Sequence, residues 1–553
     1  MPKQVETTPH PAYLIALAFF SGMAIMGVEM SSSRLLAPFF GTSISVWTAI
    51  IGSTMIALTA GYYLGGEIAE RRPRLPFLGK LLFLAAIFIV FLPYMAHPLM
   101  EIALARFSGG PAAASSGGAT GGNALLVALI VCAALICAPV VVLGMTSPFL
   151  IRLDSLRSPE VGRISGKIFA FSTLGSIVGT FLPALVLAPN VGTRFSFLFF
   201  GGALLCVTVW SVKQTRSIFL ILGLITLATG FVLGLRGWSG NLGPYLLHEV
   251  ETLYQYVRIY RVPVPGRSAG NSAQATFILT DAGMGMQSMW IDGQPHTDSW
   301  QDFFPVIPRI YETSSGSTPQ RLLALGLGGA CAPYLITQFY PRAAIDGVEI
   351  DRGLIQAARP YFPFLAASGL NVHVSDARLF LKTCAKRYDA IIVDVFRPPH
   401  IPSHLASKEF FQEARRHLTG NGVIGMNVGS KGDHRVFHGI ANTVASVFPY
   451  VYFARHHLDD GPGLFTNRFI IASDRNLRLE EAEVEERIFS VSNHVWRDVW
   501  ERMRNPRGFE ADQSSFFRKV AFDPRQLCFT DDSSSLEMIS EREFLGLIFG
   551  RRQ

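Results

Sequence analysis

Leu322-Leu-Ala-Leu-Gly-Leu-Gly-Gly329, followed by Ala344-Ile-Asp-Gly-Val-Glu-Ile-Asp351, decides the fold of the C-terminal half of this chain. An apolar run ends in a glycine turn, and a second apolar run ends in acids. The pattern predicts strand, turn, helix and strand, as at the start of a nucleotide-binding α/β domain. Further strands are predicted over 371–375, 390–394 and 422–428, with helices over 331–339, 352–360, 376–385 and 406–418. This alternation predicts a doubly wound, mostly parallel sheet. Residues 432–473 continue it, and the charged stretch from Leu477 to Arg504 has a helical pattern. Residues 250–312 read as short strands and turns, a small β subdomain. Within it Val257-Arg-Ile-Tyr-Arg-Val-Pro-Val264 alternates, and Asp292-Gly293 is a hairpin dipeptide.

Working outward, the preceding part of the chain has a different composition. The 553 residues are 49% hydrophobic, and the mean hydropathy is +0.32. Residues 1–236 carry 15 Lys+Arg and 7 Asp+Glu, whereas residues 237–553 carry 33 and 34. The basic balance therefore belongs to loops between apolar segments. That argues against a basic face for nucleic acid. A membrane span needs about 20 apolar residues. Seven candidates are found, at 12–30, 44–66, 77–97, 123–148, 165–187, 193–211 and 217–235. Gly61/Gly65 and Gly175/Gly179 have the spacing of close helix packing. Gly109 to Gly122 reads as a flexible loop. With the N-terminus inside, the inside loops hold 11 Lys+Arg and the outside loops hold 4. That bias favours an inside N-terminus, and seven spans then put the α/β domain outside. Glu29 lies within a span, with Arg34 five residues on. It either pairs with Arg34 or helps line a cavity for a substrate.

The six cysteines form no CxxC and no Cys/His zinc spacing, so neither a disulfide framework nor a structural metal is expected. His400 and His404 share a proline-rich loop and read as polar loop residues. His434 and His438 read as structural or surface residues.

Ligands of doubly wound sheets bind at the carboxyl ends of the strands. Gly326, Gly328 and Gly329 let a ligand approach the backbone closely. Glu349 ends the second strand, where a carboxylate can accept ribose hydroxyls. Asp376 follows the third strand, where it can meet an adenine amino group. Asp394 ends the fourth, facing the reacting end of the ligand. Such acids singly are often helix caps; the series at consecutive strand ends points to a nucleoside site. Gly326-Leu-Gly-Gly-Ala-Cys331 lacks the third glycine of a dinucleotide motif, which argues against NAD.

At these residues the chain resembles the spermidine synthase family, and more closely its membrane-fused branch. The resemblance rests on Glu251-Thr-Leu-Tyr-Gln255, Ile291-Asp-Gly293, Gly326-Leu-Gly-Gly329, Val348-Glu-Ile-Asp351, Ser375-Asp-Ala-Arg378 and Tyr388-Asp-Ala-Ile-Ile-Val-Asp394. Phe529-Thr-Asp-Asp532 and the pattern around Gly27-Val-Glu-Met30 extend it over nearly the whole chain. It implies a methyltransferase-like (Rossmann-type) fold and transfer of an aminopropyl group from decarboxylated S-adenosylmethionine to an amine. By match, Tyr254 and Gln255 border the site, Glu349 holds the ribose, Asp376 and Ala377 the adenine, and Asp394 takes a proton from the attacking amine.

Two positions depart from the family. Gly329 stands where the family carries an acid that contacts the donor's amine. Arg397 stands where it carries a second aspartate, and an arginine suits an anionic or carboxylate-bearing partner. The expected organisation is a multi-pass membrane domain over 1–236, a β-rich subdomain and linker over 237–318, and the α/β nucleoside-binding domain over 319–553. The expected activity is a membrane-bound transferase using decarboxylated S-adenosylmethionine or S-adenosylmethionine to alkylate an amine. The alternatives are a methyltransferase, or a transporter with a nucleoside-sensing domain. Expected partners are the amine acceptor and the lipid bilayer, not nucleic acid, with homodimerisation left open; no metal is expected.

Overall fold

The computed structural model describes residues 10–40, 44–107, 130–131, 133–157, 160–211, 215–235, 243–265, 272–280, 285–293, 297, 299–367, 369–396, 401–430, 435–455, 466–477, 479, 517–532, 536 and 539. The Gly109–Gly122 stretch, Arg397, His400, His434 and residues 480–504 lie outside them. The chain divides into two compact units. One comprises residues 1–112, 122–238 and 251–253; the other comprises 113–121, 239–250 and 254–553.

The first unit is helical. Its main helices are α1 (Pro11–Phe40), α2 (Ile44–Arg71), α3 (Leu75–Phe107), α4 (Ala138–Gly144), α5 (Thr146–Ser155), α6 (Val161–Leu182), α7 (Thr193–Thr208) and α8 (Arg216–Leu235). Among the described residues, seven stretches are long and apolar enough to cross a membrane, from Pro11–Ala37 to Arg216–Leu235. The fourth, Leu135–Ser155, reaches beyond its expected end near 148, because α5 continues after a turn at Met145. Both Gly-xxx-Gly pairs are helix contacts. A Cβ on Gly61 would stand 2.4 Å from the Val141 carbonyl oxygen, and one on Gly179 would stand 2.2 Å from that of Met23. Glu29 and Arg34 do not pair. Arg34 instead faces Glu251 at 3.6 Å and donates to the carbonyls of Thr252 (3.0 Å) and Leu253 (3.1 Å).

Among the described residues the second unit holds two sheets. In the smaller, β1 (Leu246–Glu251), β2 (Tyr256–Pro265), β3 (Ser272–Thr280) and β4 (Gly285–Ile291) lie side by side in chain order. Asp292-Gly293 is not a hairpin turn: β4 pairs only with β3 among the described residues, and the dipeptide carries the chain out of the sheet. A second departure follows it. Residues 306–315 form a helix, α9, rather than strands and turns. Val306, Ile307, Ile310 and Tyr311 are its buried face, a helical spacing, and Gly316 closes it in a left-handed conformation.

The larger sheet contains β5 (Arg321–Leu325), β6 (Ala344–Glu349), β7 (Leu370–Val374), β8 (Tyr388–Val393), β9 (Leu418–Ser430), β10 (Tyr450–Arg455), β11 (Thr466–Ser473) and β12 (Phe517–Val520). Their spatial order is β7-β6-β5-β8-β9-β11-β10-β12. The first five in chain order pair in parallel, and β11 enters antiparallel between β9 and β10. The parallel strands are joined through α10 (Cys331–Phe339), α11 (Arg352–Ala358), α12 (Ala377–Thr383) and α13 (Lys408–Arg416), and α14 (Arg435–Ala445) follows β9. β8 is buried along its whole length, as expected of a strand covered on both faces. Two apolar clusters pack on the sheet. One is built around Phe303, Phe304, Ile336 and Phe469, the other around Phe410, Phe411 and Phe437. Strand order reverses between β5 and β8, the switch point where such sheets bind ligands.

Candidate active site

Gly326 leaves β5 with φ +85°, and its N–H donates to the Val348 carbonyl (2.9 Å). Asp394 leaves β8 beside it, its N–H donating to the Leu325 carbonyl (2.8 Å). A Cβ on Gly326 would lie 2.1 Å from the Asp394 carbonyl oxygen, so only glycine lets the two strand ends approach this closely. The turn then folds onto Glu349. One carboxylate oxygen accepts from the N–H groups of Leu327 (3.1 Å) and Gly328 (3.2 Å), and the other from Asp351 N–H (3.1 Å). Burial pushes the Glu349 carboxyl up, opposed by those three donors. A carboxylate has about four acceptor sites, so Glu349 keeps roughly one for a ligand. Ala330 completes the turn at φ +60°, left-handed and strained for an alanine.

The β subdomain reaches into the same turn. Ser288 of β4 accepts from Gly329 N–H (2.8 Å). Gln287 donates to the Gln255 side-chain oxygen (2.8 Å), and Gln255 donates to Asp351 (3.1 Å). Gln255 is thus fixed beside Glu349, in the turn between β1 and β2. Tyr254 precedes it, half-buried. Gly329 is packed tightly: a Cβ there would lie 2.5 Å from the ring of Phe362, which is fully buried.

Asp376 caps α12. One oxygen accepts from the N–H groups of Arg378 and Leu379 (both 2.9 Å), and the other contacts His404 Nε2 (2.9 Å). Burial works against its charge, but the Leu379, His404 and Arg378 contacts outweigh it and hold the carboxyl below its usual range. Ala377 is buried behind it. Arg378 binds Asp531 through two nitrogens (2.7 Å each) and also reaches Glu413 (3.4 Å). This joins two motifs far apart in sequence, Ser375–Arg378 and Phe529–Asp532. Arg378 holds Asp531 down to about 2.

Asp394 is partly buried and has two side-chain partners. Asn427 of β9 donates to it at 3.0 Å, and Trp300 also hydrogen-bonds to it. Burial outweighs both and raises its carboxyl from 3.8 to about 6. The Asn427 side-chain oxygen is buried and accepts no hydrogen bond. The sites expected from the sequence therefore converge at the ends of β5, β6 and β8, with Asp376 at the end of β7. Asn427, Trp300, Gln287, Ser288 and Phe362 were not foreseen. No motif marks them; Asn427 is delivered by the β8–β9 register, which sets Met426 beside Val393.

The sheet order and strand directions define a Rossmann-type α/β fold whose strand order reverses at the glycine turn. Residues 328–474 match the spermine/spermidine synthase domain. A probable polyamine aminopropyl transferase of Bifidobacterium longum is 27% identical over 60% of this chain and 70% of its own length. The polyamine aminopropyltransferase of Vibrio vulnificus is 35% identical over 24% of this chain, which spans 45% of that protein. The crystal structure of a probable spermidine synthase from Corynebacterium glutamicum is 18% identical. It covers 52% of this chain and 98% of its own, with a TM-score of 0.41. Within the C-terminal part, residues 328–474 thus match a spermine/spermidine synthase domain, and the relatives named here are aminopropyltransferases.

Proposed function

We propose that the chain is a membrane-bound transferase that alkylates a primary amine from a decarboxylated S-adenosylmethionine-type donor, with Asp394 as the base. The amine nitrogen attacks the carbon attached to the sulfonium, the C–S bond breaks, and methylthioadenosine leaves. The amine's proton passes to Asp394. The observation that carries this reading is Asp394 itself. It stands at the switch point beside Gly326 with its carboxyl raised to about 6. A carboxyl so tuned is ionised near neutral pH yet basic enough to accept a proton in the transition state. Gln255 and the remaining acceptor site of Glu349 support a nucleoside on the glycine turn; Asp376, Ala377 and Tyr254 line its approaches. The seven apolar helices are read as membrane spans. Loop charge favours an inside N-terminus, and with seven spans the transferase domain then lies on the opposite side.

One observation favours S-adenosylmethionine itself as the donor. Phe362 fills the space a side chain on Gly329 would need, so this turn offers no acid to a decarboxylated donor's amine. The test is a product assay on purified full-length protein with each donor and a primary amine. Aminopropyl transfer releases methylthioadenosine; methyl transfer releases S-adenosylhomocysteine. Neither product appearing with any amine would defeat both readings.

A further inference from the structure

The helical unit uses its cations differently at its two ends. At one end Arg34 is engaged with Glu251 and with two carbonyls. At the other end three helix connections meet. Arg152 of α5 reaches Glu70 of α2 at 3.1 Å, which sets the α5–α6 connection beside the α2–α3 connection. Gly79 of α3 packs against Ser211, just after α7, and Tyr13 of α1 bonds the same serine at 2.5 Å. Residues 67–80 and 152–167 hold eight Lys+Arg and four Asp+Glu. Three of those acids are paired within this end: Glu67 with Arg71 (3.2 Å), Glu70 with Arg152, and Glu160 with Arg163 (3.2 Å). Among the described residues, Arg72, Arg74, Lys80, Arg157 and Lys167 are left without an ion pair, against Asp154 alone.

Two of these cations stand within helices rather than in the connections. Lys80 lies five residues after the start of α3 and Lys167 six after the start of α6, about 7–9 Å along each axis. Both are exposed there. With the helices read as spans, their ammonium groups reach headgroup depth, where a phosphate is the available counter-charge. Apolar groups are mixed among the cations. Leu156 and Val161 are exposed in the α5–α6 connection, and Trp210 is 60% exposed with the Arg216 guanidinium 3.8 Å from its ring centroid. Cations interleaved with exposed apolar and indole groups suit a surface where phosphates meet acyl chains. A soluble anion would leave the apolar groups in water. We propose that this end of the helical unit binds anionic phospholipid headgroups, with Arg72, Arg74 and Lys80 on one side and Arg157 and Lys167 on the other. This rests on reading the helices as membrane spans and does not depend on the transfer reaction.

In the test, full-length protein in a neutral detergent is titrated with dioleoylphosphatidylglycerol, dioleoylphosphatidylcholine or inorganic phosphate, and the melting midpoint is followed. Phosphatidylglycerol is expected to raise the midpoint at a concentration about tenfold below that needed of phosphatidylcholine, and high salt to remove the difference. Inorganic phosphate is expected to have no effect. Arg72→Gln combined with Arg74→Gln should raise the half-saturating phosphatidylglycerol concentration about tenfold, and Lys80→Gln combined with Lys167→Gln severalfold, with the phosphatidylcholine titration unchanged. Should one double variant fail to fold, the other decides. Equal response to the two lipids, unchanged phosphatidylglycerol affinity in the variants, or an equal response to inorganic phosphate would each overturn the proposal. Incorporation into phosphatidylcholine vesicles is measured alongside. Protein that enters no bilayer defeats the span reading and the proposal with it, whereas protein that enters and shows no lipid preference defeats the proposal alone.

Discussion

The ends of β6 and β8 carry two carboxylates that burial perturbs in the same direction but the protein treats differently. Glu349 is met by three backbone N–H groups, so it is a fixed acceptor that shapes the glycine turn. Asp394 is met by two side chains, Asn427 and Trp300, and its carboxyl sits at about 6. Backbone donors cannot move away; side-chain donors can be exchanged for a substrate. On the proposed reaction, the contrast suits Glu349 to holding the donor and Asp394 to proton transfer.

The largest expected effect comes from Asp394→Asn, which keeps shape and removes the proposed base. Transfer should fall about 10²–10⁴-fold. The same change should stabilise the fold at neutral pH. The Asp394 carboxyl is higher in the folded state than its ordinary 3.8, so protons favour folding: the stability it contributes is full below about pH 4 and lost as pH rises through 6. Removing the charge should recover about 2 kcal/mol at pH 7, after allowance for partial solvent access. Thermal melts of both proteins at pH 4 and pH 7 check this. If Asp394→Asn were fully active, the distinction between the two acids would collapse.

Glu349→Gln leaves only one side-chain oxygen for three backbone donors. Stability should drop by about 1–3 kcal/mol. Donor KM should rise more than kcat falls, and a fall in kcat alone would give Glu349 a chemical role instead. Gly329→Asp forces a side chain into Phe362 and should cost about 1–3 kcal/mol. Pairing it with Phe362→Leu should recover part of that loss, measured by melting. Arg378→Lys loses the two-pronged grip on Asp531 and should cost about 1 kcal/mol, with donor KM nearly unchanged.

Much of this arrangement was legible in the sequence because the parallel strands are buried on both faces. Their apolar runs and terminal glycines and acids are local signals, so β5 to β8 and the helices α10 to α13 lie close to their predicted ranges. The α9 helix was missed because Pro305, Pro308 and the β-branched Val306 and Ile307 resemble strand and turn chemistry over so short a segment. Its helical signal is the spacing of its buried face and the left-handed Gly316. The partners of Asp394 were hidden for a different reason. Asn427 meets it only through pairing between strands more than thirty residues apart, and Trp300 only through the packing of a short 3₁₀ turn. The Arg34–Glu251 contact is likewise long-range, which is why a local Glu29–Arg34 pair was the simpler expectation.

The pH dependence of product release by the wild-type enzyme tests the central claim most directly. With saturating donor and amine, the rate should fall tenfold per pH unit below about 6, and Asp394→Asn should lose that limb together with the activity. A wild-type profile flat from pH 5 to pH 8, or the same acid limb persisting in Asp394→Asn, would contradict Asp394 as the base.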